Sequence, residues 1–471
     1  MALPRLAPGT VLDGFVLGPL LHRGGMAALH EASHPDHPDT PLLIKIPRMQ
    51  EGEDPAAIVS FEMELMILPR LSGPHVPRFV AACGFEAQPY LVMERIPGES
   101  LRPLLEALPR PPEEVAALGA QVARALDALH RQHVVHLDIK PSNILRRPDG
   151  RVVLVDFGLS RHDLLPDLMA EEFRLPYGTA PYMAPEQVMG LRGDPRSDLF
   201  ALGVLMYFFV TGERPFGDPQ RLSGLKRRLW RDPHPPRALR PDCPPWLQEI
   251  ILRCLEVDPE RRHPSAAQLA FDLAHPAQVP LTPRAGRAGR DGWAAVTRRR
   301  FNPEARPVFR LPGAARQQSL APILAVALDV AEEESHQGAL RAAVERILAT
   351  LPGARLACLH VLRQNLVTPD SGLDSEGRNR HAVSLARLKH WAAPLGLPEE
   401  RVTYHVLEAV SVAAALLEYV TVNPVDHIVL GARTPSLRRR WLGSVSAELA
   451  EKAPCSVSVV RPRRTGPEEE N

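Results

Sequence analysis

An aspartate, a lysine and an asparagine fall within six residues in His136-Leu137-Asp138-Ile139-Lys140-Pro141-Ser142-Asn143, and thirteen residues after that asparagine comes Asp156-Phe157-Gly158. Asp138 can take a proton from a hydroxyl, and Lys140 can meet a phosphate. Asn143 and Asp156 offer the oxygen donors that magnesium prefers. Together these are the parts that phosphoryl transfer requires, a reaction catalysed by positioning and electrostatics rather than by covalent chemistry on the protein.

Such groups act only when rigid elements hold them, and the flanking sequence supplies candidates. Lys45 ends the apolar, strand-like run LLIK. It is one of five lysines (Lys45, Lys140, Lys226, Lys389, Lys452) among 56 basic residues, so the two inside candidate motifs stand out. Lysine is a compact, mobile point charge where arginine is a planar fork. The following FEMELMILPRL has helical spacing, with Glu62 and Glu64 both flanking the stripe Phe61, Leu65, Leu68. Periodicity alone does not choose between them as the partner of Lys45. YLVMERIPG, from Tyr90 to Gly98, reads as a strand ending in a Pro-Gly turn. Near the start, Leu20 to Leu29 contains the pair Gly24-Gly25, where backbone amides can approach a phosphate unhindered.

Composition narrows the setting. At 471 residues and 45% hydrophobic content, the chain can build two or three cored domains. A net charge of +1 points to no nucleic-acid or membrane partner. The five cysteines (Cys83, Cys243, Cys254, Cys358, Cys455) form no CxxC pair, which suits a reducing cytoplasm. The N-terminal stretch lacks a basic region followed by an apolar core, so no signal peptide is expected. No apolar run approaches the roughly 18 residues of a membrane span. The segment Leu199 to Val210 reads as a core helix instead.

The pattern changes twice along the chain. Residues 10–275 mix short apolar runs with long helical spacing. Residues 276–319 are rich in Pro, Gly and Arg; from Gln278 to Ser319 nine arginines face Asp291 and Glu304, a local charge of +7. This reads as a solvated linker. Beyond it, five apolar strand-like segments (beginning at Ile323, Leu356, Val402, His427 and Ser456) alternate with four helical ones, the pattern of a parallel sheet covered on both faces. Residues 320–462 form this second unit and 463–471 a polar tail.

In this order the first set of motifs resembles the protein kinases over about residues 10–275, and the resemblance implies an α+β bilobal fold. Leu21, Gly24, Gly25 and Leu29 then belong to the glycine-rich hairpin over ATP, with His22 and Ala27 where the family usually has its first and third glycines. Leu43 roofs the adenine in place of the usual alanine. Lys45 contacts the phosphates, and Glu64 is chosen as its partner from its distance to Leu71 at the helix end. Met93 is the gatekeeper, and backbone groups of Glu94 and Ile96 bind adenine. Asp138 is the base, Lys140 neutralises the transferred group, and Asn143 with Asp156 holds Mg2+, or Mn2+ in its place. DIKPSN and GTAPYMAPE are the serine/threonine forms, with Thr179 expected against Asp138 and Lys140. Glu186 is expected to pair with Arg262, and Asp198 to brace the catalytic loop.

One letter departs from the family. Leu137 replaces the arginine that usually gathers a phosphate added to the activation segment. The segment agrees: Arg161 to Pro176 contains no Ser, Thr or Tyr, and carries Asp163, Asp167, Glu171 and Glu172. A kinase independent of activation-loop phosphorylation is the expectation.

The second unit resembles the universal stress proteins over about residues 320–462, an α/β domain with a five-stranded parallel sheet. The carriers are Asp329 after the first strand and VLGARTPSLRRRWLGSVSAELAEKAPCSVSVV near the end. In nucleotide-binding members a glycine loop follows strand four; here Gly431 matches, Thr434 stands for the second glycine, and Gly443-Ser444 arrives one residue early. Arg433 and Arg438 to Arg440 are basic candidates beside it.

The chain thus reads as a multidomain serine/threonine kinase joined to a regulatory, nucleotide-sensing domain. Its expected partners are ATP, protein substrates, itself through autophosphorylation (Thr282, Thr297 and Ser319 being candidate sites), and a second copy through the C-terminal domain. The rival reading is a pseudokinase scaffold, in which His22 and Leu43 weaken ATP binding and the protein acts by association.

Overall fold

Strand alternation decides which side chains reach the cleft. In β4 (Leu42–Pro47), Leu42, Ile44 and Ile46 join Phe15, Leu17, Tyr90 and Val92 in one buried cluster. The period of two therefore turns Leu43 and Lys45 to the opposite face. The sheet is antiparallel and six-stranded, in the order β1 (Val11–Leu12), β2 (Phe15–Arg23), β3 (Ala27–Ser33), β4, β6 (Tyr90–Glu94), β5 (Phe79–Cys83). This computed structural model describes residues 6–49, 55–173, 175–301, 321–330, 334–364, 372–432 and 444–461.

Helix α1 (Ala56–Ile67) is buried around nearly its whole circumference, Glu62 and Glu64 included. A helix with no wet face is enclosed on every side, so its buried surface extends well beyond the stripe Phe61, Leu65, Leu68 read from the sequence. Below it lies a helical lobe. Helix α2 (Pro112–His130) starts on a proline with Glu113 and Glu114 in its first turn and ends on His130, matching the helix dipole. It packs on the helices Arg196–Thr211 and Ala266–Ala274. The first of these contains the segment expected as a core helix, is buried over most of its length, and ends at Gly212 with φ 77°, a left-handed cap that favours glycine.

Short strands frame the segments that carry Asp138 and Asp156. β7 (Glu99–Ser100) pairs with β9 (Ile144–Arg146), which pairs with β10 (Val152–Leu154). β8 (Val134–Val135) pairs with β11 (Arg161–His162). The loop between β8 and β9 carries Asp138, and the turn after β10 carries Asp156. Helix α3 (Leu168–Glu172) lies within the activation segment.

Part of the expected linker is structured against the helical lobe. Arg284 pairs with Glu249 and Glu256 at 3.0 and 2.8 Å, and Arg287 with Asp232 at 2.9 Å. Gln248 donates to the carbonyls of Arg284, Ala285 and Arg287. A helix, Trp293–Phe301, follows, with its Arg299 on Asp232 and Asp291. Three of these acids, Asp232, Glu249 and Glu256, come from distant sequence and offset part of the segment's positive charge. Residues 302–319 lie outside the described residues.

The C-terminal unit has the expected five parallel strands, in the order β14 (Val402–Ala409), β13 (Arg355–Arg363), β12 (Ile323–Ala327), β15 (Val425–Gly431), β16 (Ser456–Val460). Helices Glu334–Thr350, Arg380–Ala392, Val412–Val422 and Ser444–Lys452 alternate with them. The two units touch directly, with α3 packed against β14.

Candidate active site

The sheet and the helical lobe enclose a cleft of about 790 Å³. Gly24, Gly25, Leu29, Leu43, Lys45, Glu64, Met93, Glu94, Ile96, Asp138, Lys140, Asn143, Asp156 and Thr179 all line it. Of the cleft residues expected from the sequence, Leu21 is the exception: its side chain is not on the wall and is 40% exposed. The register of β2 on β3 shifts between Leu20 and His22, and it is His22 that lines the cleft.

The lysine is held from two sides. Lys45 Nζ lies 2.5 Å from Glu64 Oε2 and 2.8 Å from Asp156 Oδ1. Burial opposes the charge on Lys45, but Asp156 and Glu64 outweigh it and push its pKa well above the ordinary lysine value. The same lysine, acting against burial, holds Asp156 below the usual carboxylate range. Asp156 keeps 46% of its side chain exposed toward the cleft, open to a ligand. Glu64 also accepts the amide of Phe157 at 3.3 Å, tying α1 to the turn after Asp156. Gly158 permits this approach: a Cβ there would stand 2.1 Å from Ser60 Oγ on α1.

On the other wall, Asp138 gathers three side chains. Its Oδ1 accepts from the amide and the hydroxyl of Thr179 at 3.1 and 2.7 Å. Its Oδ2 lies 2.6 Å from Lys140 Nζ and accepts from Asn143 Nδ2 at 3.0 Å. Lys140 also donates to Thr179 Oγ1 at 3.0 Å. The activation segment is thus closed onto the catalytic loop. With its amide nitrogen spent on Asp138, Asn143 keeps its oxygen as an acceptor, taking the Ser142 hydroxyl at 3.1 Å. Asn143 and Asp156 both line the cleft, and their oxygens are of the kind that suits a hard divalent cation.

Buried polar bonds fix this loop. Asp198, fully buried, accepts the amides of His136 and Leu137 at 2.9 and 2.8 Å. Leu137 is itself buried and adopts φ 64°, a left-handed conformation costing a leucine roughly 1–2 kcal/mol, so the surrounding bonds impose it. Its carbonyl accepts from Gln187 at 2.9 Å. Glu186 and Arg262 form the expected pair, bidentate at 2.6 and 2.8 Å.

Sequence reading missed the arginines that hold the segment's backbone. Arg192 reaches Asp167 at 2.9 Å and donates to the Leu159 carbonyl. Arg228, buried, donates to the carbonyls of Ala180 and Met183. In an arginine-rich chain neither has a local signal.

In the C-terminal unit, Asp329 and Gly431 line one cavity of about 570 Å³ at the carboxyl ends of β12, β13 and β15. Arg363, Arg380 and Arg387 line it too and were not expected; the last two share a helix face seven residues apart. His360 donates from Nδ1 to the Leu328 carbonyl at 2.9 Å. Thr434, Gly443, Arg433 and Arg438 to Arg440 lie outside the described residues, and Ser444 opens the last helix.

Comparisons with known proteins cover both units of the chain. Residues 24–272 match the model of the protein kinase domain, and residues 323–461 that of the universal stress protein family. PknB, a serine/threonine-protein kinase of Mycobacterium leprae, is 30% identical over 288 residues, covering 59% of this chain and 45% of that protein. A probable serine/threonine-protein kinase of Streptomyces coelicolor is 31% identical over 265 residues, covering 55% and 39%. PknL of Mycobacterium tuberculosis is 35% identical over 236 residues, covering 50% and 59%. The match thus spans about half the length of these relatives. A solved kinase domain, that of M. tuberculosis PknI as a double mutant, aligns at 24% identity and TM-score 0.45, covering 58% of this chain and 100% of that one. The family match takes in more than half of the chain and every residue of the cleft from Gly24 onward, so the chain belongs to the protein kinase family and carries a universal stress protein domain behind its kinase domain.

Proposed function

We propose that the chain transfers the terminal phosphoryl group of ATP to serine and threonine hydroxyls of proteins. The observation that carries this reading is the simultaneous closure of both walls: Glu64 and Asp156 on Lys45, and Thr179 on Asp138 and Lys140. Asp138 orients the acceptor hydroxyl and takes its proton, while Lys140 offsets negative charge on the group in flight. Asn143 and Asp156 would hold Mg2+, or Mn2+, whose role is to neutralise phosphate charge. Lys45, kept charged by its two carboxylates, meets the phosphates, and Leu43, Met93 and Ile96 supply the apolar walls for the base.

Activity without activation-loop phosphorylation belongs to the same proposal. Leu137 offers no charge to a phosphate, and the segment is already tied down by Arg192 on Asp167. The test is magnesium-dependent transfer from labelled ATP by the wild type against Asp138→Asn and Asp156→Ala. Transfer by the wild type alone supports the kinase; equal silence of all three supports a scaffold. The paired Lys45 and Glu64 favour the kinase over that second reading.

For the C-terminal domain we propose nucleotide sensing. Its cavity lies where parallel sheets bind ligands, beyond the strand ends, and joins Asp329 to three arginines. Calorimetric titration of ATP into the full chain bearing Lys45→Met tests it, binding being lost on Asp329→Ala. Autophosphorylation is proposed at linker hydroxyls; Thr282, whose hydroxyl is bound to Glu249 at 2.8 Å, is the poorer acceptor. Among the described residues no helix is long and apolar enough to cross a membrane.

A further inference from the structure

The enclosure of α1 is completed by the C-terminal domain. Glu62, buried, lies 2.5 Å from Lys389 Nζ on the helix Arg380–Ala392. Two residues on, Glu64 points the other way, to Lys45. A helix turns about 200° over two residues, so the two glutamates leave opposite sides of α1. One continuous apolar cluster runs from Ile58 and Phe61 of α1 through Leu168 and Met169 of α3 to Trp391 and Val406 of the C-terminal domain.

The activation segment is met in the same way. Glu171 receives Arg355 of β13 at 2.9 Å and, at 3.0 Å, Nε2 of His405 on β14. That second contact is one of charge, outside hydrogen-bond alignment. His405 Nδ1 donates to Glu172 Oε1 at 2.9 Å. Tyr419 donates to Glu171 Oε2 at 3.4 Å, and Asn423 Nδ2 to the Glu171 carbonyl at 3.2 Å. Two carboxylates thus meet one guanidinium and one imidazole in a buried setting, where each charge needs its partner. A five-residue helix such as α3 does not persist by local bonds alone, so this docking adds to the Asp167 cap and its Arg192 partner in ordering it.

In kinases that depend on a phosphorylated activation loop, negative charge on the segment is gathered by an arginine cluster of the kinase itself. Here the segment carries the negative charge in its sequence; Arg192 of the kinase domain meets Asp167, and the second domain supplies Arg355 and His405 to Glu171 and Glu172. We infer that the C-terminal domain is a positioning element of the kinase, Lys389 setting α1 through Glu62 while Arg355 and His405 set the activation segment through Glu171 and Glu172. The inference rests on the reading of the chain as an active kinase. It makes Lys389, Arg355 and His405 positioning residues: none touches the cleft, and each acts through an element that does. Coupling between the domains then runs through this contact rather than through the linker alone.

The experiment uses full-length protein, with dephosphorylated casein as phosphate acceptor. Lys389→Glu should lower kcat about ten-fold or more when assayed well below its melting midpoint, and the reversed pair Glu62→Lys with Lys389→Glu should recover most of the loss. A lysine serving stability alone would leave kcat of the folded variant unchanged. His405→Gln and Lys389→Met serve if the reversal does not fold, with a smaller loss in the same direction. Hydrogen exchange over residues 56–67 and 168–172 is read on the same proteins and should quicken in each single variant. If the wild type transfers phosphate and the single variants stay within about two-fold of it, the inference is overturned. A silent wild type sinks the kinase reading instead, and unchanged exchange in the variants would then still overturn the docking.

Discussion

Glu62 and Glu64 stand two residues apart on one helix, and the first binds Lys389 of the C-terminal domain while the second binds Lys45 of the active site. A single rigid element therefore carries both contacts. Whatever shifts Lys389 by a fraction of a turn also shifts the carboxylate paired with Lys45.

That aim has a measurable consequence. Lys45→Met should reduce kcat/KM by about a hundred-fold or more, because a positive charge meeting the phosphates is removed. Glu64→Gln should cost less, roughly ten-fold, since Asp156 still lies 2.8 Å from the ammonium. Steady-state kinetics with ATP as the varied substrate checks the order.

Gly158 sits too close to α1 for any side chain. Gly158→Ala places a methyl 2.1 Å from Ser60 Oγ and should push α1 away from the turn after Asp156. Transfer activity should fall about ten-fold, and Ser60→Ala in the same chain should restore part of it by removing the obstructing oxygen. Kinetics of the single and double variants reads both effects.

Docking of the activation segment should depend on pH with a definite sign. Burial depresses His405, but the hydrogen bonds and charges of Glu171 and Glu172 outweigh it and raise its pKa from 6.5 to about 9. Burial raises Glu171, but Arg355 and His405 outweigh it and lower its pKa from 4.5 to about 2. Arg355, Tyr419 and Asn423 also face this cluster. The histidine's contribution is full below its unfolded value and is lost as pH rises toward 9; the glutamate's is full above its unfolded value and is lost as pH falls toward 2. Both are complete between 4.5 and 6.5. Melting temperatures of wild type and His405→Gln should differ most at about pH 5.5 and converge above about pH 9.5.

The pair Glu186–Arg262 tests the scaffold beneath the site. Both side chains are essentially fully buried, at 1% and 0% exposure. Arg262→Ala leaves the carboxylate without its main partner and should cost about 3–5 kcal/mol. Denaturant unfolding would register the change; a loss below about 1 kcal/mol would contradict it.

Much of the site was legible because phosphoryl transfer needs chemically distinct residues at short spacing, as in Asp138, Lys140, Asn143 and Asp156. The five parallel strands were legible because each is a short apolar run between turn residues. What escaped was non-local. Periodicity could not separate Glu62 from Glu64, since α1 is enclosed on both sides and each glutamate has a lysine of its own. Residues 276–301 looked like a solvated basic linker because the acids that bind them, Asp232, Glu249 and Glu256, lie far back in sequence. Leu21 was expected at the cleft by position in a motif, but a register shift between β2 and β3 turned His22 there instead.

The most direct measurement is phosphoryl transfer by full-length protein first treated with phosphatase, then freed of it and given magnesium and labelled ATP. Wild type should transfer at its untreated rate, with no phosphosite mapping between residues 157 and 185, and Asp138→Asn should be inactive. Transfer abolished by the phosphatase and regained with a phosphosite in that segment, or equal transfer by wild type and Asp138→Asn, would contradict a kinase whose activation segment is held by its own second domain.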